Sequence, residues 1–323
     1  MTLDYLFKSG KNPKIIYYIL AYARVATPGI VYRRRLKKAL KSIESRPDAA
    51  YIKERINYYN KLEETQELPE DVERLGDLKR SKKVKSVYFL DAYQITCWFN
   101  FHFKWNYVPG DVTHIPKIPS IVKSRPIAGD NQNSILLKLV QVRHFVFLND
   151  KLSFKEKKNK IIFRGKADHR PNRTQFMSKY FDHPMCDLGN ISKKNILPEH
   201  WKVEKCSLYN HLNFKFILAL EGIDVASNLK WIMSSNSIAV MPKPTYETWF
   251  MEGKLVPNVH YILIKDDFSD LEERLNYYIK NDDEAQKIID NANEYVSQFL
   301  DKKREQLIGL AVMKKYLKKT NQL

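Results

Sequence analysis

The sequence has few cysteines, and its histidines and aspartates lack the spacings that bind metals. The three cysteines, Cys97, Cys186 and Cys206, are widely separated and form no Cys-x-x-Cys pair. That pattern is typical of a reducing compartment and not of a disulfide framework. The eight histidines show neither His-x-x-x-His nor His-Glu-x-x-His spacing, and no Asp-x-Asp triplet occurs. The sequence therefore predicts no metal site.

Glycine-rich motifs and long apolar runs are also missing. The chain has only 10 glycines and contains no P-loop, Gly-x-Gly-x-x-Gly or Gly-x-Ser-x-Gly, which argues against kinase, dinucleotide-binding and serine-hydrolase functions. The apolar run at residues 15–22 is far shorter than the ~20 residues of a membrane span. No secretory signal precedes it, because Asp4 and the lysine-rich stretch 8–14 come first. We therefore expect a cytoplasmic protein.

What is present is a globular composition with a large positive charge. The 323 residues are 44% hydrophobic and 28% charged, which suits one large domain or two of ordinary size. The net charge of +18 indicates an anionic partner. A nucleotide, a phosphorylated glycan, a membrane surface and a nucleic acid all fit that description.

Apolar patterning predicts helices and strands that alternate in two halves. Residues 1–62 are predicted to be mainly helical. Strands are predicted at residues 87–90, 97–107, 160–165, 216–220, 238–241 and 260–264. Two helices follow, the first behind a capping box at Ser269 and Glu272. With a polar linker at 150–160, this order predicts an α/β fold of two Rossmann-like domains facing across a cleft.

Residues 218–264 carry the pattern of a diphosphate site. A predicted strand leads into a turn with Glu221 and Gly222, and a helix opens near Ser227. Such a turn presents backbone N–H groups to phosphates. Glu247 and Glu252, on a later loop, are placed to bond ribose hydroxyls. An ordinary βαβ unit without a ligand explains the same spacing.

A second loop collects cations. Arg164 and Arg173 flank residues 165–172, which follow a predicted strand and contain Lys166 and Arg170. Four cations beside one strand end suit an anionic ligand, although a basic face of a basic protein is the alternative.

The order of motifs resembles glycosyltransferase family 90, also called the CAP10 or lipopolysaccharide-modifying family. It includes animal protein O-glucosyltransferases and bacterial lipopolysaccharide core transferases. The resemblance covers roughly residues 105 to 300. The residues that carry it are 122–127, 163–165, Arg173, Glu221, Gly222, Ser227, Lys230, Trp231, 235–237, Tyr246, Glu247, Trp249, Leu255, Pro257, His260, Tyr261, Asp267 and Leu271.

The resemblance implies a bacterial GT-B enzyme that transfers a hexose with inversion. The donor would be UDP-glucose or UDP-galactose, and the acceptor a lipid-linked lipopolysaccharide or lipooligosaccharide core. Capsule, another glycan or a protein is the alternative acceptor. The implied domains are 1–152 on the acceptor side, 153–300 for the nucleotide sugar, and a helix at 301–323 that packs back on the first. No metal or other cofactor is expected, because metal-dependent transferases usually carry Asp-x-Asp.

The resemblance also implies a set of site residues. The donor-binding residues are Arg164, Gly165, Lys166, Arg173, Gly222, Asp224, Val225, Ala226, Ser227, Asn228, Lys230, Glu247 and Glu252. The residues for acceptor or sugar are Ser124, Arg125, Asp130, Asn131 and Asn133. The catalytic base is Asp111, with Asp130 as the second candidate. Relatives have a small hydroxyl residue at Lys166, and animal relatives have arginine at Asn228.

Two predictions concern other partners. The amino-terminal segment mixes apolar and aromatic residues, including Tyr5 and Phe7, with lysines and the run Arg33, Arg34 and Arg35. It predicts reversible attachment to the anionic inner membrane, the alternative being a buried helix at 15–22. The charge also leaves a different class open, a non-enzymatic nucleic-acid-binding protein. No helix-turn-helix, RNA-recognition or zinc-finger pattern appears, so nucleic acid is not the expected partner.

Overall fold

The computed structural model describes residues 9–80, 86–193 and 196–323. Its α-helices are, in chain order, α1 Lys14–Ala26, α2 Gly29–Lys41, α3 Ala49–Tyr59, α4 Ser86–Thr96, α5 Gln141–His144, α6 Pro171–Tyr180, α7 Leu208–His211, α8 Leu229–Met233, α9 Leu271–Lys280, α10 Asp282–Ser297 and α11 Lys302–Lys319. Its strands are β1 Asn106–Val108, β2 Ser120–Val122, β3 Ser124–Pro126, β4 Ser134–Leu136, β5 Lys158–Gly165, β6 Cys186–Asn190, β7 Phe214–Leu218, β8 Ile238–Met241, β9 Tyr246–Thr248 and β10 Ile262–Leu263.

The chain divides into two compact units. The five-stranded unit comprises Met1–Asn12, Arg143–Pro244 and Lys254–Gln298, and the three-stranded unit comprises Pro13–Val142, Thr245–Gly253 and Phe299–Leu323. Each contains a parallel sheet with helices, so the predicted α/β class is confirmed. A compact unit need not be a domain, and the domains predicted at 1–152, 153–300 and 301–323 stay predictions.

The five-stranded unit has a doubly wound parallel sheet in the order β10-β8-β7-β5-β6. Numbered along the chain from β5, this is the order 2-1-3-4-5 of Rossmann-like folds, in which the winding reverses between β5 and β7. Strands β7 and β8 are buried at every position, because helices cover both faces of such a sheet. The fold therefore puts its topological switch point at the carboxyl ends of β5 and β7.

Most predicted elements of this unit are confirmed, with two differences. The strand predicted at 260–264 is reduced to Ile262–Leu263. The capping box predicted at Ser269 is wrong, since α9 begins at Leu271 without a side-chain cap. Asp267 instead accepts the backbone N–H of Ser269 at 3.0 Å, and Asp270 accepts that of Lys265 at 2.9 Å. The local acids satisfy the turn before α9, so the hydroxyl of Ser269 is not needed there.

The three-stranded unit combines the parallel sheet β1-β2-β4, the antiparallel pair β3-β9 and several helices. Helix α11 packs against α3 and α4, and its buried Glu305 accepts hydrogen bonds from Arg55 at 2.6 Å, Trp249 at 2.7 Å and Lys138 at 2.9 Å. A carboxylate buried among cations and an indole N–H has its acceptor sites satisfied. This network ties the carboxyl-terminal helix to the unit.

The strands predicted at 87–90 and 97–107 are wrong for most of their length. Residues 87–90 lie in α4, and only Asn106–Val108 of the second segment is a strand. Helix α4 is buried on nearly every side, so its apolar residues show no helical period. A short apolar run of this kind does not distinguish a buried helix from a strand.

Within the described residues, no single helix has the length and apolar character to cross a membrane, although α1 and α2, bent by 96° to one another, satisfy that test as a pair.

Helix α1 is fixed to the three-stranded unit by Asp91. This buried carboxyl group accepts hydrogen bonds from the Tyr17 hydroxyl at 2.8 Å and the Gln141 backbone N–H at 2.9 Å. Burial raises the pKa of Asp91 to about 6, although these hydrogen bonds act in the opposite direction. Between about pH 4 and about pH 6 the folded protein therefore keeps a proton that the unfolded chain has lost.

The Asp91→Asn variant is expected to remove this pH dependence. Because the folded state binds the additional proton, the contribution of Asp91 to the free energy of unfolding falls as pH rises through that window, by about 3 kcal/mol in all. Urea unfolding of wild type and variant from about pH 4 to about pH 7 measures the difference between their free energies of unfolding. The other titrating groups are the same in both proteins, so their contributions cancel in that difference. A wild-type-minus-variant free energy that stays constant or rises with pH contradicts the prediction.

Candidate active site

Two loops meet at the switch point of the five-stranded sheet. The first follows β5 and runs from Lys166 to the start of α6 at Pro171, and the second follows β7 and contains Glu221 and Gly222. The Asn172 side chain donates to the Glu221 carbonyl at 3.1 Å and so joins them. In open α/β sheets ligands bind at this carboxyl edge.

Arg173, in the first turn of α6, is held between these loops. Its Nη1 donates to the Lys166 carbonyl at 3.0 Å and its Nη2 to the Leu220 carbonyl at 2.8 Å. The guanidinium also lies over the Phe163 ring, 5.7 Å from its centroid. Its Nε is buried and has no hydrogen-bond partner within the described residues. The side chain is therefore fixed in position with donor capacity left.

The guanidinium of Arg173 carries a charge without a counterion. Burial, together with the nearby Arg170, lowers the pKa of Arg173 to about 10. Across residues 9–80, 86–193 and 196–323, no carboxylate forms an ion pair with Arg173. Arg173 is half-buried, and a cation withdrawn in part from water without an anion costs free energy that a bound anion would offset.

Gly222 leaves room beside the two arginines. A Cβ at this position would lie 3.3 Å from Nη2 of Arg173 and 3.9 Å from Nε of Arg170. A larger residue would fill the space in front of both guanidinium groups. Arg173 and Gly222, which were both predicted to bind the donor, thus lie beside one another.

The other predicted donor residues of this unit have mixed surroundings. Arg164 is paired with Asp187, donating to its carboxylate and at 2.7 Å to its carbonyl. Gly165 lies so close to the Phe163 ring that a Cβ would overlap it. Lys230 is fully buried with its Nζ 5.7 Å from the Phe145 ring centroid. The remaining positions are Lys166 and Ser227, which are exposed, Asp224, Val225 and Ala226, which are buried, and Asn228, which donates to the Leu218 carbonyl at 2.9 Å.

Glu247 and Glu252, predicted for the ribose, belong to the three-stranded unit. Glu247 lies opposite Arg125 in the β3-β9 pair, and Arg125 Nε donates to it at 2.7 Å. The Tyr58 hydroxyl donates to the second oxygen of Glu247. Glu252 accepts the backbone N–H of Thr248 at 2.6 Å. Both acids are buried in structural hydrogen bonds, and their ribose contacts stay a prediction.

Asp111 lies at the carboxyl edge of the three-stranded sheet, three residues after β1. Gly110 before it has a φ of 121°, a backbone conformation that favours glycine and turns the chain at this point. Lys123, directly after β2, donates to Oδ1 of Asp111, whose side chain is 37% exposed while that of Lys123 is 3% exposed. No described residue bonds to Oδ2. One oxygen is oriented and the other is open to accept a proton.

The remaining predicted acceptor residues lie nearby in sequence, and most of them make hydrogen bonds within the protein. Ser124 bonds the backbone of Val112, and Arg125 is fully buried. Asn131 accepts from Lys61 at 2.9 Å, and Asn133 donates to the Lys117 carbonyl at 3.1 Å. Asp130 is exposed and, in the part of the chain that the structure describes, accepts only from Gln132, at 3.3 and 2.9 Å.

Lys123 is a functional candidate that was not among the predicted site residues. It stands at the end of the apolar run Ile121 and Val122, where a lysine is unusual because its charge needs a partner. That signal, a cation at the end of a buried strand, identifies a residue that orients Asp111.

Among the described residues, no group of three or more His, Cys, Asp or Glu side chains is arranged to hold a metal ion.

Comparison with known proteins identifies the chemistry. Residues 137–321 match the model of glycosyl transferase family 90. The chain is 42% identical over 267 residues to the O-glucosyltransferase LpsA of Dichelobacter nodosus, which covers 83% of this chain and 83% of that protein.

The chain belongs to glycosyl transferase family 90.

More distant similarity extends to animal proteins. The chain is 26% identical over 169 residues to protein O-glucosyltransferase 3 of Homo sapiens, covering 51% of this chain and 33% of that protein. It is 28% identical over 93 residues to protein O-glucosyltransferase 1 of Rattus norvegicus, covering 29% of this chain and 24% of that protein. The family 90 chain is thus a glycosyltransferase, which decides against the non-enzymatic nucleic-acid-binding alternative.

Proposed function

We propose that this glycosyltransferase moves a hexose from a UDP-sugar, with inversion and without a metal ion, to a lipopolysaccharide or lipooligosaccharide core. The observation that carries the proposal is the half-buried guanidinium of Arg173 at the switch point, which has no counterion among the described residues. A diphosphate there would accept hydrogen bonds from Arg173 and meet the charges of Arg170 and Lys166. The amino terminus of α6 lies at the same edge and adds its positive dipole end.

The proposed reaction is a single displacement. The acceptor hydroxyl oxygen forms a bond to the anomeric carbon as the bond from that carbon to the UDP oxygen breaks, and its electron pair leaves with UDP. Asp111 takes the proton that the hydroxyl loses. Charge on the departing diphosphate grows as the bond breaks, and fixed guanidinium groups stabilise it in the transition state. One displacement inverts the configuration at the anomeric carbon.

The two units would divide these tasks. The five-stranded unit supplies cations for the donor diphosphate, and the three-stranded unit supplies the base. A GT-B arrangement, with one domain for the donor and one for the acceptor, is part of the proposal for that reason.

Glucose is favoured over galactose as the sugar. The Dichelobacter nodosus relative is named an O-glucosyltransferase and covers most of this chain.

The three cysteines are free, which supports a reducing cytoplasm as the compartment. We propose that the enzyme meets a lipid-linked core there, at the inner membrane. Capsule, another glycan or a protein remains the alternative acceptor, and the human relative favours a protein only over about half of this chain, at 26% identity over 51% of it.

A donor panel tests the proposal. The purified enzyme is incubated with a core oligosaccharide and, separately, with UDP-glucose, UDP-galactose, GDP-mannose and CMP-sialic acid. We expect product with UDP-glucose or UDP-galactose, β-configured at the new bond by NMR because the donors are α-linked, and unchanged activity in EDTA. Transfer from GDP-mannose or CMP-sialic acid instead would contradict the UDP-sugar donor. Retention of configuration would contradict inversion, and a strict requirement for magnesium or manganese would contradict the metal-free mechanism.

A further inference from the structure

Helix α1 presents an apolar face to solvent. Ile15, Ile16, Ile19, Leu20 and Tyr22 are between 54% and 76% exposed. At 3.6 residues per turn these positions lie on one side of the helix, and Ala23 and Ala26 complete that side. Five large apolar side chains exposed on one side of a helix indicate an interaction surface.

The opposite face of α1 is the one that packs on the protein. Ala21 is buried and Tyr17 bonds Asp91 on α4, and α1 packs against α4. Because the face with Ala21 and Tyr17 joins α1 to its unit, the exposed apolar face is not needed for that packing.

The segment of the chain that carries this face is strongly basic. Residues 9–43 contain nine lysines and arginines and no aspartate or glutamate. On α2, five of these cations are exposed to solvent: Arg34, Arg35, Lys37, Lys38 and Lys41. An apolar helix face followed in the chain by a helix with five exposed cations is complementary to an anionic lipid surface, which offers hydrocarbon beneath negative headgroups.

We propose that α1 and α2 form a lipid-docking surface, with the apolar face of α1 lying in the headgroup–acyl boundary of an anionic membrane and the cations of α2 on the headgroups. Thirteen residues make α1 about 20 Å long, shorter than the ~30 Å hydrocarbon core, so it lies in the membrane surface and does not cross it. Tyr22, exposed on the same face, suits the interfacial region.

Two other occupants fit the surface less well. A second copy of this chain would bring nine further cations against these nine, and like charges oppose such a dimer. A nucleic acid would use the cations and leave the apolar face of α1 in water.

The inference depends on this surface alone and holds whichever sugar or acceptor the enzyme uses. The residues Tyr5, Phe7 and Lys8 of the predicted membrane segment lie outside the described residues.

Vesicle flotation of the full chain tests the inference. Vesicles of phosphatidylcholine with phosphatidylglycerol are compared with phosphatidylcholine alone, at low and high salt. We expect binding to the anionic vesicles that weakens with salt. Arg34→Gln, Arg35→Gln and Lys38→Gln together should lower the partition coefficient on the order of a hundredfold, since each cation near the surface contributes about fivefold. Leu20→Gln should lower it roughly tenfold.

Matched controls keep the outcome specific. Leu300→Gln removes a leucine of similar exposure on the same unit, and Lys280→Gln, Lys287→Gln and Lys303→Gln remove three exposed cations elsewhere. Both controls should float like the wild type, and circular dichroism checks that every variant is folded. Failure to float with anionic vesicles overturns the inference. So does flotation unaffected by Leu20→Gln, or a dimer in light scattering that Leu20→Gln dissociates.

Discussion

Replacing Asp111 with asparagine is expected to lower the rate of sugar transfer by about 10²–10⁴-fold, the range that general-base catalysis contributes. The amide has nearly the volume of the carboxylate but does not accept the proton of the acceptor hydroxyl. A base acts in the transition state, so UDP affinity should stay close to that of the wild type. Single-turnover rates with UDP-glucose and titration calorimetry with UDP measure the two quantities separately.

The Asp130→Asn variant is the matched control. Asp130 is also an exposed aspartate, but its carboxylate accepts hydrogen bonds from Gln132, two residues along the chain, whereas Asp111 is oriented by Lys123. We expect Asp130→Asn to transfer sugar at close to the wild-type rate. The opposite pattern, with Asp111→Asn above about a hundredth of wild-type turnover and Asp130→Asn inactive, would assign the base to Asp130.

The parts of the fold that could be predicted are those whose sequence signal is local. Strand β8 was predicted at the bounds the structure has, because Ile238–Met241 is an uninterrupted apolar run between polar turns. The second helix predicted near the end of the chain is α10, whose apolar residues Ala285, Ile288, Ile289, Ala292 and Val296 are buried, whereas Leu300, beyond its end, is exposed. Helix α4 was missed because burial on all sides removes the period on which such a prediction depends.

The partners of the site residues are set by contacts between distant parts of the chain. Arg125 meets Glu247 only because β3 pairs with β9 across 122 positions, so the sequence did not predict this buried ion pair. By contrast, Arg173 and Gly222 could be placed together in advance. Each follows a strand of one parallel sheet, and the carboxyl ends of parallel strands share an edge.

Replacing Arg173 with alanine is expected to weaken UDP binding and to slow transfer by roughly 10²–10³-fold, the loss measured when one fixed donor to a developing negative charge is removed. Both parameters should change, because the guanidinium bonds the diphosphate in the bound donor and more strongly as the leaving group gains charge. Arg173→Lys should retain part of the activity, since one ammonium group keeps the charge but not the planar set of donors.

Loss of binding must be distinguished from loss of structure, because Arg173 also bonds the carbonyls of Lys166 and Leu220. Lys179→Ala, which removes a cation from the last turn of the same helix, is the matched control and should bind UDP normally. In wild type and control, UDP should raise the melting temperature by an amount that grows with the ratio of UDP concentration to Kd, and in folded Arg173→Ala it should raise it much less. If folded Arg173→Ala binds UDP as the wild type does, the diphosphate lies elsewhere. The unpaired charge at the switch point would then need another anion to explain it.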